Sequence, residues 1–398
     1  MLSTLKGLRV LDFTQIGAGP TCSMYLGDMG ADVVKVEPPS GDLGRKLGLP
    51  WVDEHSPIYE AFNRNKRSIC IDLKSREGRE VALKLAASAD VLIESFRPKT
   101  MAAFGLDYES VRQFNDRLVY CSVSAYGQSG PMSHKAGVDG IIQGTSGLMS
   151  LIGYPDSEPC KVQAPVVDVS TGFISTIAIL SQLLERERTG KGGYSDVNLL
   201  SSAVALQQSA ITTFTGSLQE PGRMGSAAPY SAPNEAFETA DGWIMVAAYN
   251  GNRWESLCQV LGLSEIAKQP GLVTSADRVA NRTAMKNHLA PRFKTQSSAS
   301  WLAKLEAVDI LCGKVATYKD LVSDPQVQHL NLLAQTVKSD GQRFTSPAFP
   351  VNTREGAQQP SRAAPACGQH STEILAEIGY IPNEIEQFYK ARAIFSCD

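Results

Sequence analysis

The sequence predicts an α/β protein built on a mostly parallel sheet and divided into two domains. Three observations lead there. Short apolar strand patterns alternate with helical ones through the first third of the chain, which is how a sheet with crossover helices reads. At 398 residues the chain is too long for one ordinary hydrophobic core. Two loop-rich stretches, 215–232 and 338–370, punctuate the later part, and the first of them reads as a linker.

Arg9–Phe13 is a short buried strand, after which Gly17-Ala18-Gly19-Pro20 opens a helix over Thr21–Met29, with the proline suited to a first helical turn. Asp32–Glu37 is the next strand, stopped by Pro38-Pro39. Ser68–Leu73, Asp90–Glu94 and Leu118–Ser124 are further strands, with a helix near Gly78–Ala87. Gly172–Leu184 is apolar nearly all round and predicts a buried helix, ended by the charged, glycine-rich turn Glu185–Gly193. A second helix spans about Leu199–Phe214. Glu238–Val246 reads as a hairpin around Asp241-Gly242, helical patterns continue to about 320, and Ser371–Gly379 is a last helix closed by glycine.

The composition, 43% apolar and 20% charged, is that of a soluble globular protein. A net charge of −3 gives no basic surplus for nucleic acid, so any anionic ligand must be held by a local cluster. The candidates are Asn63-Arg64-Asn65-Lys66-Arg67, Lys74, and Arg97 at the end of a strand, where open α/β sheets bind ligands. Arg and Lys there suit phosphate, although from the residues alone solvated surface charge is the favoured reading. The eight cysteines form no CxxC pair and the five histidines are scattered, which argues against a metal site or a disulfide framework and for free, buried thiols. No secretory pattern follows Met1, and no apolar run reaches the ~18–20 residues of a membrane span. A cytoplasmic protein with neither membrane nor nucleic-acid partner is the expectation.

Gly17-x-Gly19 after a strand, with Glu37 about twenty residues on, imitates a dinucleotide fingerprint, but Cys22 stands where the third glycine belongs. A plain strand-to-helix turn offering amides to an anion is the better reading, with an NAD-dependent oxidoreductase as an alternative. The more telling segment is Val166-Val167-Asp168-Val169-Ser170-Thr171-Gly172, which sets one carboxylate among β-branched apolar residues just before a long apolar helix. Its ordinary explanation is a helix N-cap, a role for which Ser170 competes. No GxSxG elbow and no suggestive histidine supports Ser-His-Asp chemistry. A carboxylate needs no general base, being ~10³-fold ionised at neutral pH with a pKa near 3.9, and a helix N-terminus favours that form. Because it is a weak nucleophile, Asp168 needs an activated substrate such as a thioester.

Several segments then resemble one family: Leu5-Lys6-Gly7-Leu8-Arg9-Val10-Leu11-Asp12-Phe13-Thr14 with Gly17-Ala18-Gly19-Pro20; Gly30-Ala31-Asp32-Val33-Val34-Lys35-Val36-Glu37; Asn65-Lys66-Arg67-Ser68; Ser95-Phe96-Arg97-Pro98; Gly127-Gln128-Ser129-Gly130-Pro131; and Asp324-Pro325-Gln326-Val327. In this order, over nearly the whole chain, they resemble the family III CoA-transferases, the superfamily of formyl-CoA transferase, carnitine CoA-transferase and α-methylacyl-CoA racemase. The resemblance implies that Asp168 is a covalent nucleophile forming aspartyl anhydride and aspartyl-CoA intermediates. It implies a substrate-positioning role for Gln15, an acidic active-site role for Asp139, and contacts with coenzyme A at Ala18, Ile71, Lys74, Ser95, Phe96, Arg97 and Lys135. Coenzyme A would be substrate, with no permanently bound cofactor; succinyl-CoA or another dicarboxylic acyl-CoA is a plausible donor.

Departures narrow the expectation. The racemase branch carries a proton-shuttling histidine where this chain has Val138, which disfavours racemisation. Gly225–Tyr230 does not match the glycine-rich loop of formyl-CoA transferase, so oxalate or formate specificity is not implied, and Ala103 stands near a position where some members bind coenzyme A with arginine. By resemblance the fold is a Rossmann-like large domain formed by both chain ends, 1–215 and 331–398, plus a smaller inserted α+β domain, 225–330, with two ring-like subunits interlocked as a homodimer.

Overall fold

The structure, a computed structural model, describes residues 3–48, 51–52, 55–353, 356–357 and 362–396. Met1 and Cys397, and parts of the loop-rich stretch 338–370, lie outside the described residues.

The main sheet is built from β1 (Arg9–Phe13), β2 (Asp32–Glu37), β3 (Lys66–Ile71), β4 (Val91–Glu94), β5 (Val119–Ser124), β6 (Gly193–Asn198) and a last short strand, Ile394–Phe395. Its order is Ile394–Phe395, β3, β2, β1, β4, β5, β6. Every pair from β3 to β6 is parallel, and only the Ile394–Phe395 edge runs antiparallel, against β3. The order reverses between β1 and β4, the switch point at which such sheets open a crevice at their strand C-termini.

Alternate side chains of the strands feed two cores. Leu11, Phe13, Val34, Ile69, Leu92 and Tyr120 pack on one face with Val81 and Leu85 of the helix Arg76–Ala87 and with Ile374 and Ile385 from the chain's C-terminal part. Val10, Val33, Val91, Ile93 and Val119 pack on the other with Cys22 and Leu26 of α1 (Ala18–Asp28), α2 (Asp139–Thr145) through Ile142, and α3 (Val166–Thr189) through Ile179 and Leu183. Each such side chain, fully buried, contributes about 1.5–3 kcal/mol. The α1–α3 crossing is close because Gly172 lacks a side chain: a Cβ there would lie 2.6 Å from Thr21 Cβ and 2.9 Å from the Ala18 carbonyl oxygen.

Helix α3 departs from its expectation in two ways. It begins at Val166, six residues early, so Ser170 is interior rather than capping, and its hydroxyl donates to the Val167 carbonyl. It is also not buried all round: Phe173, Ile177 and Leu184 are exposed along one side. It has 24 residues, and one 18-residue stretch of it has a mean hydropathy of 1.5, long and apolar enough to cross a membrane by composition, although polar residues interrupt every apolar run. Thr171, Ser175 and Thr176 lie on its buried side, alongside the apolar contacts to the sheet.

The predicted helix Leu199–Phe214 is broken at Leu206-Gln207 into Leu199–Ala205 and Gln208–Ser217. Ser371–Glu377 is not the last element. The helix Pro382–Lys390 and the strand Ile394–Phe395 follow it, the strand being too short to show a period.

By compactness the chain forms two units: residues 1–149, 161–219 and 325–398, and residues 150–160 with 220–324. Residues 150–160, read from the sequence within the first unit, cluster with the second. The second unit contains a three-stranded antiparallel sheet, Asn234–Glu238, Trp243–Ala247 and Leu311–Lys314. The Asp241-Gly242 turn closes the first pair, with Thr239 N–H donating to the Gly242 carbonyl at 2.8 Å. Phe237, Ile244, Val246, Trp254, Met285, Phe293 and Trp301 form its core. The described cysteines are free; Cys160, however, is exposed and Cys312 only half-buried, against the expectation that such thiols sit inside.

Candidate active site

The loop from Thr14 to Gly17 leaves the C-terminal end of β1 and is held from below by fully buried charges. Asp12 accepts from Thr14 N–H at 2.9 Å, from the Ser23 hydroxyl at 2.6 Å and from Lys66 Nζ at 2.9 Å. Lys35 Nζ donates to the Thr14 carbonyl at 2.9 Å and pairs with Asp42 at 2.6 Å, while Asp42 Oδ1 accepts from Ile16 N–H at 3.1 Å. Burial works to raise the Asp12 pKa, but Lys66, Lys35 and the two hydroxyls outweigh it and hold the carboxylate well below its ordinary range.

This network corrects the basic-cluster expectation. Asn63–Arg67 is neither a phosphate site nor solvated charge: all five residues are buried. Arg64 pairs with Asp28 at 2.6 Å, Lys66 with Asp12, and Arg67 with Asp32, Glu373 and Glu377 at 2.6–2.8 Å. Such charges sit inside only when paired, and here they tie β3 to α1, β2 and the C-terminal helix Ser371–Glu377.

Above the loop a cavity of about 490 Å³ opens over the ends of β1, β4 and β5, at the switch point. Among its lining residues are Gln15, Gly17, Ala18, Ser95, Phe96, Arg97, Val138, Asp139, Lys161 and Asp168, all within the first compact unit. A second cavity of about 480 Å³ shares Gln15 and Phe96 with it and adds Ile71, Leu73 and Lys74. Eight of the nine sequence-predicted substrate and coenzyme positions besides Asp168 thus border one cavity or the other, as does Val138, but Lys135 is exposed and borders neither. Gln15 stands at the junction, its N–H donating to the Ser95 hydroxyl and its Oε1 accepting from Leu43 N–H, both at 3.3 Å.

Asp168 is the third residue of α3, yet it does not cap that helix. Asp139 does so, its Oδ2 accepting from Val167 N–H at 2.8 Å and from Asp168 N–H at 3.1 Å. The dipole of α3 is therefore answered by Asp139. The Asp168 carboxylate accepts no hydrogen bond among the described residues and rests against Gly17, where an added Cβ would lie 2.5 Å from Oδ2. Burial, and then the like charge of Asp139, push the Asp168 carboxyl up to about 7. The expectation of a fully ionised aspartate favoured by the helix end is corrected: the dipole acts on the neighbour.

The dinucleotide reading loses its parts as well. Glu37 is bound by Arg45 at 2.7 and 2.8 Å and by the Ser68 hydroxyl at 2.6 Å, so its carboxylate is committed to the protein rather than to a ribose. One residue that lines the site, Lys161, and one that shapes it from behind, Glu94, carried no sequence signal. Glu94, buried at the end of β4, accepts from Phe96 N–H at 2.8 Å and so shapes the Ser95–Arg97 turn; burial pushes it up to about 7. Lys161 lies in a loop without motif. Among the described residues no group of three or more His, Cys, Asp or Glu is arranged to hold a metal ion.

The family model described as CoA-transferase family III matches residues 5–371. A succinyl-CoA:glutarate CoA-transferase of Mus musculus is 36% identical over 95% of this chain and 87% of its own length. A succinate–glutarate CoA-transferase of Agrobacterium fabrum is 36% identical over 94% of this chain and 95% of its own. Among solved structures, a CAIB/BAIF family protein from Brucella suis superposes with a TM-score of 0.85 at 35% identity, covering 95% of this chain and 100% of that one.

Proposed function

We propose, from the premise that this chain belongs to CoA-transferase family III and moves coenzyme A from an acyl thioester to a free carboxylic acid, that Asp168 is the nucleophile of the exchange and that its substrates are dicarboxylic. The single observation that carries the first part is a carboxylate, without hydrogen-bond partners among the described residues, lining a cavity over the switch point, its pKa raised to about 7. The second part rests on the names of the mouse and Agrobacterium relatives.

The chemistry follows from bonds that stay activated. Asp168 attacks the donor thioester carbonyl; the C–S bond breaks, giving a mixed anhydride and the thiolate of coenzyme A. The thiolate attacks the aspartyl carbonyl and releases the donor's carboxylate, leaving an aspartyl thioester. The acceptor carboxylate attacks that carbonyl and expels the thiolate, which takes the acceptor's acyl carbon and frees Asp168. No proton is gained or lost overall, and each step exchanges one activated acyl bond for another. A raised pKa makes the ionised fraction more nucleophilic while leaving about half of Asp168 ionised near pH 7. The cavity with Lys74 suits the coenzyme, the cavity with Asp168 the acyl group, and Gln15 the carbonyl between them.

Racemisation would need a second proton-transfer group opposite Asp168, and Val138, 57% exposed on the cavity wall, cannot serve. The exposed line Phe173, Ile177 and Leu184 on α3 supports pairing with a second copy, as the family resemblance implies. The test is a panel of acyl-CoA donors against mono- and dicarboxylic acids, run alongside α-hydrogen exchange in deuterated water. Transfer to dicarboxylic acids without exchange is expected; exchange in the absence of an acceptor acid would refute the reading.

A further inference from the structure

The cavity that holds Asp168 is lined by two cations, Arg97 and Lys161. Among the described residues neither makes an ion pair. Arg97 follows β4 in the Ser95–Arg97 turn beside Phe96, which both cavities share. Lys161 comes from a different direction. It precedes Val162, whose N–H donates to Gln143 Oε1 at 2.9 Å and whose carbonyl accepts from Gln143 Nε2 at 3.1 Å. Gln143 is fully buried and its amide also reaches Asp139 Oδ1. One buried amide therefore fixes the Lys161 backbone to the same carboxylate that caps α3 and sets the Asp168 backbone. The Lys161 side chain lies over Gly140: a Cβ there would find Lys161 Cδ at 3.5 Å and Nζ at 3.6 Å. Both are ordinary van der Waals distances, so the side chain packs along the Gly140 backbone without crowding it.

We infer that Lys161 is a specificity-determining residue, its ammonium receiving the distal carboxylate of a dicarboxylic acyl group or acceptor acid while the other carboxyl reacts at Asp168. This rests on the CoA-transfer reading above. The physical case is that a second carboxylate entering a cavity already lined by Asp139 and Asp168 meets two negative charges, and Lys161, tied through Gln143 to Asp139 itself, brings a cation to that part of the wall. Val138 and Leu43, both exposed on that wall, offer apolar surface to the methylenes between the two carboxyls.

The experiment compares glutarate with pentanoate, which has the same chain length and lacks the distal charge, as acceptors from one acyl-CoA donor. In the native enzyme kcat/KM should favour glutarate. In K161M the glutarate-to-pentanoate ratio should fall at least tenfold, mainly through KM for glutarate, and K161R should restore most of it. An unchanged ratio in K161M, or a native enzyme that does not prefer glutarate, overturns the inference. Should K161M misfold, the K161Q variant gives the same reading by keeping a long polar side chain without the charge, and an unchanged ratio there also overturns it. Failure of the underlying reading looks different: the native enzyme would transfer coenzyme A to neither acid, whatever stands at 161.

Discussion

Asp12 and Asp168 are the same residue type, one fully buried and the other half-buried in the cavity wall, and they are held in opposite states. Asp12 is enclosed by Lys66, Lys35, Ser23 and Thr14, and its carboxylate lies well below the ordinary range despite complete burial. Asp168 has Asp139 as its charged neighbour, its carboxylate accepts no hydrogen bond among the described residues, and it is pushed up to about 7. Burial raises both; the partners decide the outcome. The first arrangement spends its charge on structure, fixing the loop that carries Gln15 and Gly17. The second leaves its charge unsatisfied, which is the condition for chemistry.

The largest effect that would break the contrast is at Lys66. Lys66→Met leaves Asp12 buried without its closest cation and should cost about 3–5 kcal/mol, as breaking a buried pair does. Urea unfolding at pH 7 measures it; a loss under 1 kcal/mol would mean that Lys35 alone suffices. The same experiment on Asp168 should change sign. A carboxyl whose folded pKa is raised is destabilised as it ionises, so its penalty is absent below pH 3.8 and complete above about 7. Asp168→Asn should therefore stabilise the fold at pH 8, by up to about 4 kcal/mol for a shift of this size, and leave it unchanged near pH 4. Equal unfolding midpoints at pH 8 would show that Asp168 is not perturbed.

Gly17→Ala sharpens the geometry. Its Cβ would fall 2.5 Å from Asp168 Oδ2, so the carboxylate must move. A displacement near 1 Å at a reacting atom costs about 10² in rate. Steady-state transfer should fall by that order with little change in unfolding midpoint. The smallest expected effect is electrostatic. The acid limb of the kcat/KM profile should have an apparent pKa near 7, since protonated Asp168 does not attack, and Asp139→Asn should move it downward by removing the like charge. An upward move would mean that the helix cap lost with Asp139 matters more than its charge.

Much of the fold was legible. The strands β1, β2 and β4 are apolar runs bounded by Pro, Gly or Asp, so a period of two was not needed to see them. The basic cluster was not, because its partners Asp28, Asp32, Glu373 and Glu377 lie up to 310 residues away and only the fold brings them in. Asp168 stood out because a lone carboxylate among β-branched residues is costly wherever it sits. The cap that leaves it free did not, since Asp139 comes from another helix and nothing local announces that Ser170 is interior. Lys161 belongs to the same class: its place depends on Gln143, eighteen residues earlier, through hydrogen bonds to Val162 that no spacing rule predicts.

The central claim is that Asp168 carries the acyl group. Incubating the protein with an acyl-CoA, trapping with hydroxylamine and mapping the product by mass spectrometry tests it directly. A hydroxamate at Asp168, with transfer falling by about 10³ or more in Asp168→Ala, is the predicted result. A label at any other residue, or transfer that survives Asp168→Ala, would contradict it.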